Sequence, residues 1–180
     1  MFNNIKEARE WIEIQHRFGD KLDLKRMEIA VGKLNHPERS FKSIHVAGTN
    51  GKGSTANFIK NILMLSGLKT GIYTSPYVVC FNERIGIDRN YITDEEVVSY
   101  ANFMHEFRDE LYDESGESLT FFEIITLMAF LYFRDKGVDY AVIEVGLGGL
   151  LDATNVIIPE LSAITNISYD HMKQLGNTLE

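Results

Sequence analysis

The feature that most constrains the fold is a glycine-rich run between an apolar stretch and an amphipathic one. The run extends from His45 to Thr55 and has the sequence His-Val-Ala-Gly-Thr-Asn-Gly-Lys-Gly-Ser-Thr. Glycine accepts positive φ, so consecutive backbone N–H groups in such a run can turn inward around an anion. We therefore predict a strand over residues 42–47, a phosphate-binding loop, and a helix over residues 54–66 whose N-terminus faces the anion.

Lysine and hydroxyl residues in this loop have particular roles in phosphate binding. A lysine contacts the β- and γ-phosphates and a hydroxyl holds Mg²⁺, which predicts these roles for Lys52 and for Ser54 or Thr55. The strict pattern is not met, because Val46 replaces its first glycine and Gly53 separates the lysine from the hydroxyl. An ordinary glycine-rich turn is the alternative. The predicted nucleotide-binding residues are Thr49, Asn50, Gly51, Lys52, Gly53, Ser54 and Thr55.

Composition narrows the class of protein. The 180 residues are 44% hydrophobic and 24% charged, as in ordinary globular chains, and the net charge is −8. This acidic balance argues against a nucleic-acid partner, which requires clustered Lys and Arg. The longest apolar run, residues 124–133, is shorter than the roughly 20 residues that cross a bilayer. With Cys80 as the single cysteine and no signal peptide, we expect a cytoplasmic protein without a membrane partner.

Hydrophobic periodicity and capping patterns predict alternating strands and helices. Their order predicts an α/β fold in which helices cover a mainly parallel sheet. The predicted helices cover residues 5–18, 24–34, 54–66, 93–113 and 120–135, and the predicted strands residues 42–47, 70–74, 140–145 and 161–167.

Three further expectations concern burial and loops. Both strands 140–145 and 161–167 are expected to be buried. Residues 75–92 lack a clear period and are expected to form a long surface loop with an extended piece over residues 84–87. Loops of that length inside a domain are more often functional than idle. The helix after the glycine-rich loop is expected to bury Phe58, Ile59, Ile62, Leu63 and Leu65.

Three polar residues follow predicted strands and are candidates for chemistry. Glu144 ends an apolar strand, His171 follows the last predicted strand, and Ser75 closes the second. Ligands of parallel sheets lie beyond the carboxyl ends of strands, where a carboxylate can hold a metal beside phosphates. Each has a structural alternative: Glu144 paired or turned to solvent, His171 a surface residue, and Ser75 a turn residue.

Other candidates have simpler structural explanations. Glu123 is the capping-box partner of Thr120 and needs no catalytic role. His45 alternates with Ile44 and Val46, which we expect to be buried. No Ser/His/Asp triad and no cysteine–histidine metal site can be assembled from the spacing.

Six ordered motifs run through the chain, at residues 18–24, 45–55, 73–76 with 81–85, 119–123, 144–149 with 152–155, and 170–171 with 175–176. Together they resemble folylpolyglutamate synthase and its bifunctional relative dihydrofolate synthase, within the Mur-ligase superfamily. The resemblance covers nearly the whole chain, and Gly53 distinguishes this family from muropeptide ligases, which usually have Thr there. It implies that residues 1–180 form a P-loop nucleotide-binding domain of the Mur-ligase central type, incomplete at its C-terminal end, with the glutamate-binding domain absent.

The resemblance also implies an activity, namely that of an ATP-dependent amide ligase that uses ATP and Mg²⁺. A folate or dihydropteroate carboxylate attacks the γ-phosphate to give an acyl phosphate, from which the amine of L-glutamate displaces phosphate. The full-length protein is expected to be a monomer with small-molecule partners only, and the chain by itself to be inactive. The alternatives are a stand-alone, non-catalytic nucleotide-binding module and a small-molecule P-loop kinase.

Finally, the resemblance implies roles for particular residues. Lys52, Glu144 and His171 look catalytic, and residues 75–92 look like the family's mobile Ω-loop. Leu150 stands where the family often has Arg, so this chain offers no charge for a substrate contact at that position. The implied Mg²⁺ ligands are Ser54, Ser75, Glu144 and His171. The implied pterin-side contacts are Leu22, Asp23, Leu24, Thr120, Phe122, Glu123, Leu151, Asp152 and Ala153.

Overall fold

A six-stranded sheet with helices on both faces is the framework of the computed structural model, which describes residues 1–15 and 23–178. The strands are β1 (Lys42–Ala47), β2 (Thr70–Tyr73), β3 (Ile85–Ile87), β4 (Asn90–Tyr91), β5 (Tyr140–Glu144) and β6 (Leu161–Ile164). The helices are α1 (Ile5–Ile14), α2 (Lys25–Lys33), α3 (Lys52–Leu65), α4 (Asp94–Ser115), α5 (Phe121–Asp135) and α6 (Met172–Leu175), with short 3₁₀ turns at Pro37–Arg39, Phe81–Arg84 and Ala153–Val156.

The strand order confirms the predicted mainly parallel sheet. The order is β4-β3-β2-β5-β1-β6, in which β2, β5, β1 and β6 run parallel and β3 and β4 are added antiparallel. The parallel strands therefore bring their carboxyl ends to one edge of the sheet. This edge is where ligands of such sheets bind.

The two faces of the sheet are covered unequally. The larger core lies between one face and helices α1, α2, α4 and α5, and α5 is buried around its whole circumference from Glu123 to Phe133. The opposite face packs Ile44, Val46, Ile72 and Val142 against α3 alone. The position of α3 fixes the glycine-rich loop that precedes it.

The predicted buried side of α3 is wrong for three of its five residues. Ile59 and Leu63 do pack against the sheet, and Ala56, about one turn before Ile59, is fully buried. The exposed fractions of the other three are 68% for Phe58, 65% for Ile62 and 76% for Leu65. A single helix on a flat sheet buries one narrow stripe, and within the described residues no second layer packs on the outer side of α3.

The prediction of a buried last strand is also wrong. β6 ends at Ile164 rather than residue 167, and it lies at the edge of the sheet, where β1 is the only described strand that pairs with it. Most of the side-chain surface of Leu161 and Ile164 is exposed. The first helix ends at Ile14 rather than residue 18, and residues 16–22 lie outside the described ranges.

The extended piece predicted over residues 84–87 is confirmed as β3, but the rest of the predicted surface loop is more ordered than expected. β4 pairs with β3, and the first half of the segment is held by the Glu83 carboxylate, which accepts the N–H groups of Val78 and Val79. The guanidinium of Arg84 is buried, 5.0 Å from the ring centroid of Tyr77 and 5.4 Å from that of Phe121.

Over the described ranges, no helix has the length and apolar character that crossing a membrane would require.

Candidate functional site

The glycine-rich loop has the backbone geometry that an anion site needs. Gly51 caps α3 in the left-handed region, with a φ of 82°, so the helix begins at Lys52, two residues earlier than predicted. The first intrahelical bond runs from the N–H of Thr55 to the carbonyl of Gly51. The N–H groups of Lys52, Gly53 and Ser54 are thus left for a ligand at the N-terminus of the helix.

Lys52 folds back over this loop. Its Nζ donates to the carbonyl oxygens of Gly48 and Thr49, at 2.8 and 3.2 Å. These bonds hold the ammonium group at the mouth of a cavity of about 250 Å³, on the ligand-binding edge of the sheet. The cavity is lined by the loop, by the turn after β5 and by the segment after β6, the contributing residues including Gly48, Thr49, Lys52, Gly146, Leu147, Gly148, Asn166, Ser168 and His171.

Glu144, at the end of β5, places a carboxylate beside the loop. It is 4% exposed, and the only described group that donates to it is the backbone N–H of Ser75, 3.2 Å from Oε2. Burial raises the pKa of Glu144, whereas the Ser75 N–H and the Lys52 charge act to lower it. A Cβ at Gly53 would lie 3.4 Å from Glu144 Oε2, so the start of α3 lies within van der Waals contact of this carboxylate.

The other predicted metal ligands are placed less definitely. His171 lines the same cavity from the start of α6, and its side chain is 50% exposed, with Nε2 3.7 Å from the Asp170 carboxylate. Ser54 is exposed on the first turn of α3, and Ser75 meets Glu144 through its backbone. Within residues 1–15 and 23–178, no group of three His, Cys, Asp or Glu side chains is arranged to hold a metal ion.

The predicted pterin-side residues fall into two groups, the first of which lies at the turn that follows β5. Phe122 is half-buried, and its ring lies against Gly146 so closely that a Cβ there would have no room. Asp152 is buried and accepts the N–H of Leu147 at 2.8 Å, which fixes the same turn. Ala153 is also buried and Leu151 is about half exposed.

Thr120 and Glu123 form the predicted capping box of α5. The N–H of Thr120 donates to Glu123 Oε2 at 2.7 Å, and the N–H of Glu123 to the Thr120 hydroxyl. No local sequence pattern indicated that Glu123 also pairs with Arg26 of α2, whose Nε lies 3.0 Å from Oε1. Asp23 and Leu24, just before α2, are half-buried near this pair, whereas Leu22 lies outside the described residues.

His45 was expected only to alternate with buried neighbours, but it is itself buried, because helices cover both faces of β1. Its Nε2 lies 2.8 Å from the hydroxyl of Thr154, which in turn donates to the Asp152 carboxylate. Since the single hydroxyl proton is used in that bond, His45 Nε2 is the donor to Thr154. A chain of hydrogen bonds therefore joins β1 to the turn after β5.

Because His45 is buried, we expect the unfolding free energy of the chain to depend on pH. Burial lowers the pKa of His45, opposed by the charge of Asp152. Its stabilising contribution is complete above the unfolded-state pKa, near 6.5, and is lost as pH falls toward the folded-state pKa, since the unfolded chain binds more protons there. We expect His45→Gln, which keeps an N–H donor but does not titrate, to flatten the fall in unfolding free energy from pH 7 to 5. Urea denaturation across this range measures it, and parallel curves for both proteins would contradict it.

Together, fold and site define an α/β domain with a glycine-rich loop, a lysine and a buried carboxylate at the ligand-binding edge of a parallel sheet. Residues 46–180 match the Mur ligase middle domain. The chain belongs to the Mur ligase family and carries its middle domain, which confirms the resemblance.

Two curated relatives extend this assignment. The chain is 45% identical over 181 residues to the dihydrofolate synthase/folylpolyglutamate synthase of Bacillus subtilis, covering 100% of the chain and 42% of that protein. It is 42% identical over 177 residues to the folylpolyglutamate synthase of Lacticaseibacillus casei, covering 98% of the chain and 41% of that protein. The chain thus spans about two fifths of these relatives.

Solved structures agree with this assignment. An FPGS–AMPPCP–folate complex superposes with a TM-score of 0.93 at 42% identity, over 98% of this chain and 43% of that one. E. coli FolC in complex with DHPP and ADP superposes with a TM-score of 0.87 at 31% identity, over 98% of this chain and 41% of that one.

Proposed function

We propose that the full-length protein is an ATP-dependent ligase that joins L-glutamate to a folate or dihydropteroate carboxylate, and that this chain forms its nucleotide-binding part. The observation that carries the proposal is the buried Glu144 carboxylate beside the loop that holds Lys52. The names of the relatives support the glutamate acceptor, and the complexes with AMPPCP, folate and ADP support the substrate classes.

The chemistry requires two substitutions. In the first, a carboxylate oxygen of the acceptor attacks the γ-phosphorus of ATP, the bond to the β-phosphate oxygen breaks, and an acyl phosphate and ADP form. In the second, the amine of glutamate attacks the acyl carbon, phosphate leaves, and the amine loses a proton. The obstacle in the first step is that an anion attacks a polyanion, so charge must be neutralised during an in-line transfer.

The chain's own residues match that requirement. Lys52 and the free N–H groups at the start of α3 are positioned to hold the β- and γ-phosphates. The turn at Gly146, packed on Phe122 and fixed by Asp152, lines the same cavity as Lys52, and we assign this turn to the acceptor. On the resemblance alone we also assign to the acceptor Leu22, Asp23, Leu24, Thr120, Glu123, Leu151 and Ala153.

Mg²⁺ fits the site on the chemistry of its donors. Glu144 offers a carboxylate to which the described residues donate only one hydrogen bond, and hard oxygen ligands are those that Mg²⁺ prefers. We assign Glu144 and the Ser54 hydroxyl to one ion, with Ser75 nearby, and Glu144 and His171 to a second. A bound Mg²⁺ would neutralise phosphate charge during the transfer.

The test is glutamate incorporation by the full-length protein. With ATP, Mg²⁺ and labelled L-glutamate, we expect a labelled pteroyl product from dihydropteroate or from a reduced folate, with one phosphate released per glutamate joined. ATP hydrolysis without label transfer to either acceptor would contradict the ligase. Binding of ATP without any turnover would favour a non-catalytic module, and phosphorylation of a hydroxyl compound would favour a kinase. The proposal also places the glutamate site in a further domain, with the whole protein a cytoplasmic monomer.

A further inference from the structure

The glycine-rich loop is tied to the segment that follows β6, more than a hundred residues further along the chain. The N–H of Thr49 donates to the carbonyl of Asn166 at 2.9 Å, and the N–H of Asn50 donates to the side-chain Oδ1 of Asn166 at 2.9 Å. Thr165 completes the connection, since its hydroxyl donates to the carbonyl of Asn50 at 2.7 Å. The loop is therefore held by Thr165 and Asn166 as well as by β1 and α3, which flank it.

The Asn166 amide is oriented by these bonds. A backbone N–H can only donate, so the side-chain atom facing Asn50 must be the oxygen, and the Nδ2 group occupies the other branch of the amide. Nδ2 bonds to none of the residues that the structure describes, although Asn166 lines the cavity that also contains Lys52. An amide NH₂ with two unused protons at this position is suited to donate to an anionic oxygen.

We propose that Asn166 is a further residue of the nucleotide site, whose amide oxygen fixes the loop and whose amide nitrogen donates to a phosphate of the bound nucleotide. This inference rests on the proposed function, because the phosphates come from that nucleotide. It adds a third kind of donor to the Lys52 ammonium and the N–H groups of α3. It also makes the loop and the segment that leads to His171 one connected unit.

Two substitutions at Asn166 separate positioning from phosphate contact. Asn166→Ala removes both bonds, and we expect ATP affinity in the full-length protein to fall about ten-fold, the usual scale for lost hydrogen bonds. Asn166→Asp keeps an acceptor for the Asn50 N–H but replaces the donor with a negative charge. We expect it to bind ATP more weakly than the alanine variant does, with a defect that grows from AMP to ADP to ATP.

Titration calorimetry with the three nucleotides measures this series, with thermal unfolding as a check on folding. The matched control is Asn102→Ala, since Asn102 also accepts a backbone N–H, that of Phe2, but lies outside the cavity. It should leave nucleotide affinity unchanged. Wild-type affinity in Asn166→Ala, or tighter ATP binding by Asn166→Asp than by Asn166→Ala, would overturn the proposal while leaving the proposed function standing. A wild-type protein that binds no nucleotide would overturn both.

Discussion

Lys52→Ala is expected to lower the turnover of the full-length protein by about 10²–10³-fold, which is the usual cost of removing one preorganised charge-stabilising group. The ammonium group is held at the cavity by the carbonyls of Gly48 and Thr49, so it is in place before a nucleotide arrives. An alanine removes the positive charge but leaves Gly51 and the hydrogen bonds that the loop N–H groups donate to Asn166, which fix the loop geometry. We also expect weaker ATP binding, measured by titration calorimetry alongside steady-state glutamate incorporation.

Lys60→Ala is the matched control for Lys52. Both lysines lie on α3, but the Nζ of Lys60 donates to the carbonyl of Asp88, away from the cavity. Its loss should leave both turnover and ATP affinity near the wild-type values. If Lys52→Ala kept full turnover, or if the two variants lost activity equally, the role assigned to Lys52 would be wrong.

Arg26→Ala is expected to cost about 3–5 kcal/mol of unfolding free energy, because it leaves a buried carboxylate without its cation. The side chains of Arg26 and Glu123 are only 11% and 6% exposed, and the guanidinium Nε bonds both carboxylate oxygens at 3.0 and 3.1 Å. In the variant, the one described donor left to the Glu123 carboxylate is the N–H of Thr120. Urea denaturation monitored by circular dichroism measures the difference.

Two comparisons show whether burial of the pair is the cause. Lys25→Ala removes the neighbouring lysine, whose pair with Glu117 is exposed, and should leave the unfolding midpoint almost unchanged. Replacing both partners, Arg26→Met with Glu123→Gln, should recover most of the lost stability, since no buried charge remains and the glutamine still accepts the N–H of Thr120. Equal losses from Arg26→Ala and Lys25→Ala, or a double variant as unstable as the single one, would contradict this explanation.

The features that the sequence could predict depend on residues that lie close together along the chain. The strand before Gly48, the helix after Gly51 and the capping box at Thr120 each depend on residues within a few positions of one another. The class of sheet followed from their order. The loop pattern and the strand-end position predicted the roles of Lys52 and Glu144, and the resemblance added the amide-ligase chemistry. The family match and the relatives confirmed the resemblance itself, whereas the roles of individual residues stay predictions.

The features that could not be predicted depend on contacts between distant parts of the chain. Arg26 meets Glu123 across 97 positions and Asn50 meets Asn166 across 116, and neither arginine nor asparagine carries a local pattern that names its partner. The prediction of which α3 residues are buried failed for a similar reason. Its apolar residues show which side could be covered, but the number of helices on that face of the sheet is a property of the whole fold.

The uncovered side of α3 has a consequence for handling the chain in solution. Phe58, Ile62 and Leu65 lie three and four positions apart, so their exposed side chains share one side of the helix. Sulfate and phosphate salts strengthen the association of such apolar surfaces because they are excluded from them. The isolated 180-residue chain should therefore salt out at lower concentrations than its net charge of −8 alone would suggest.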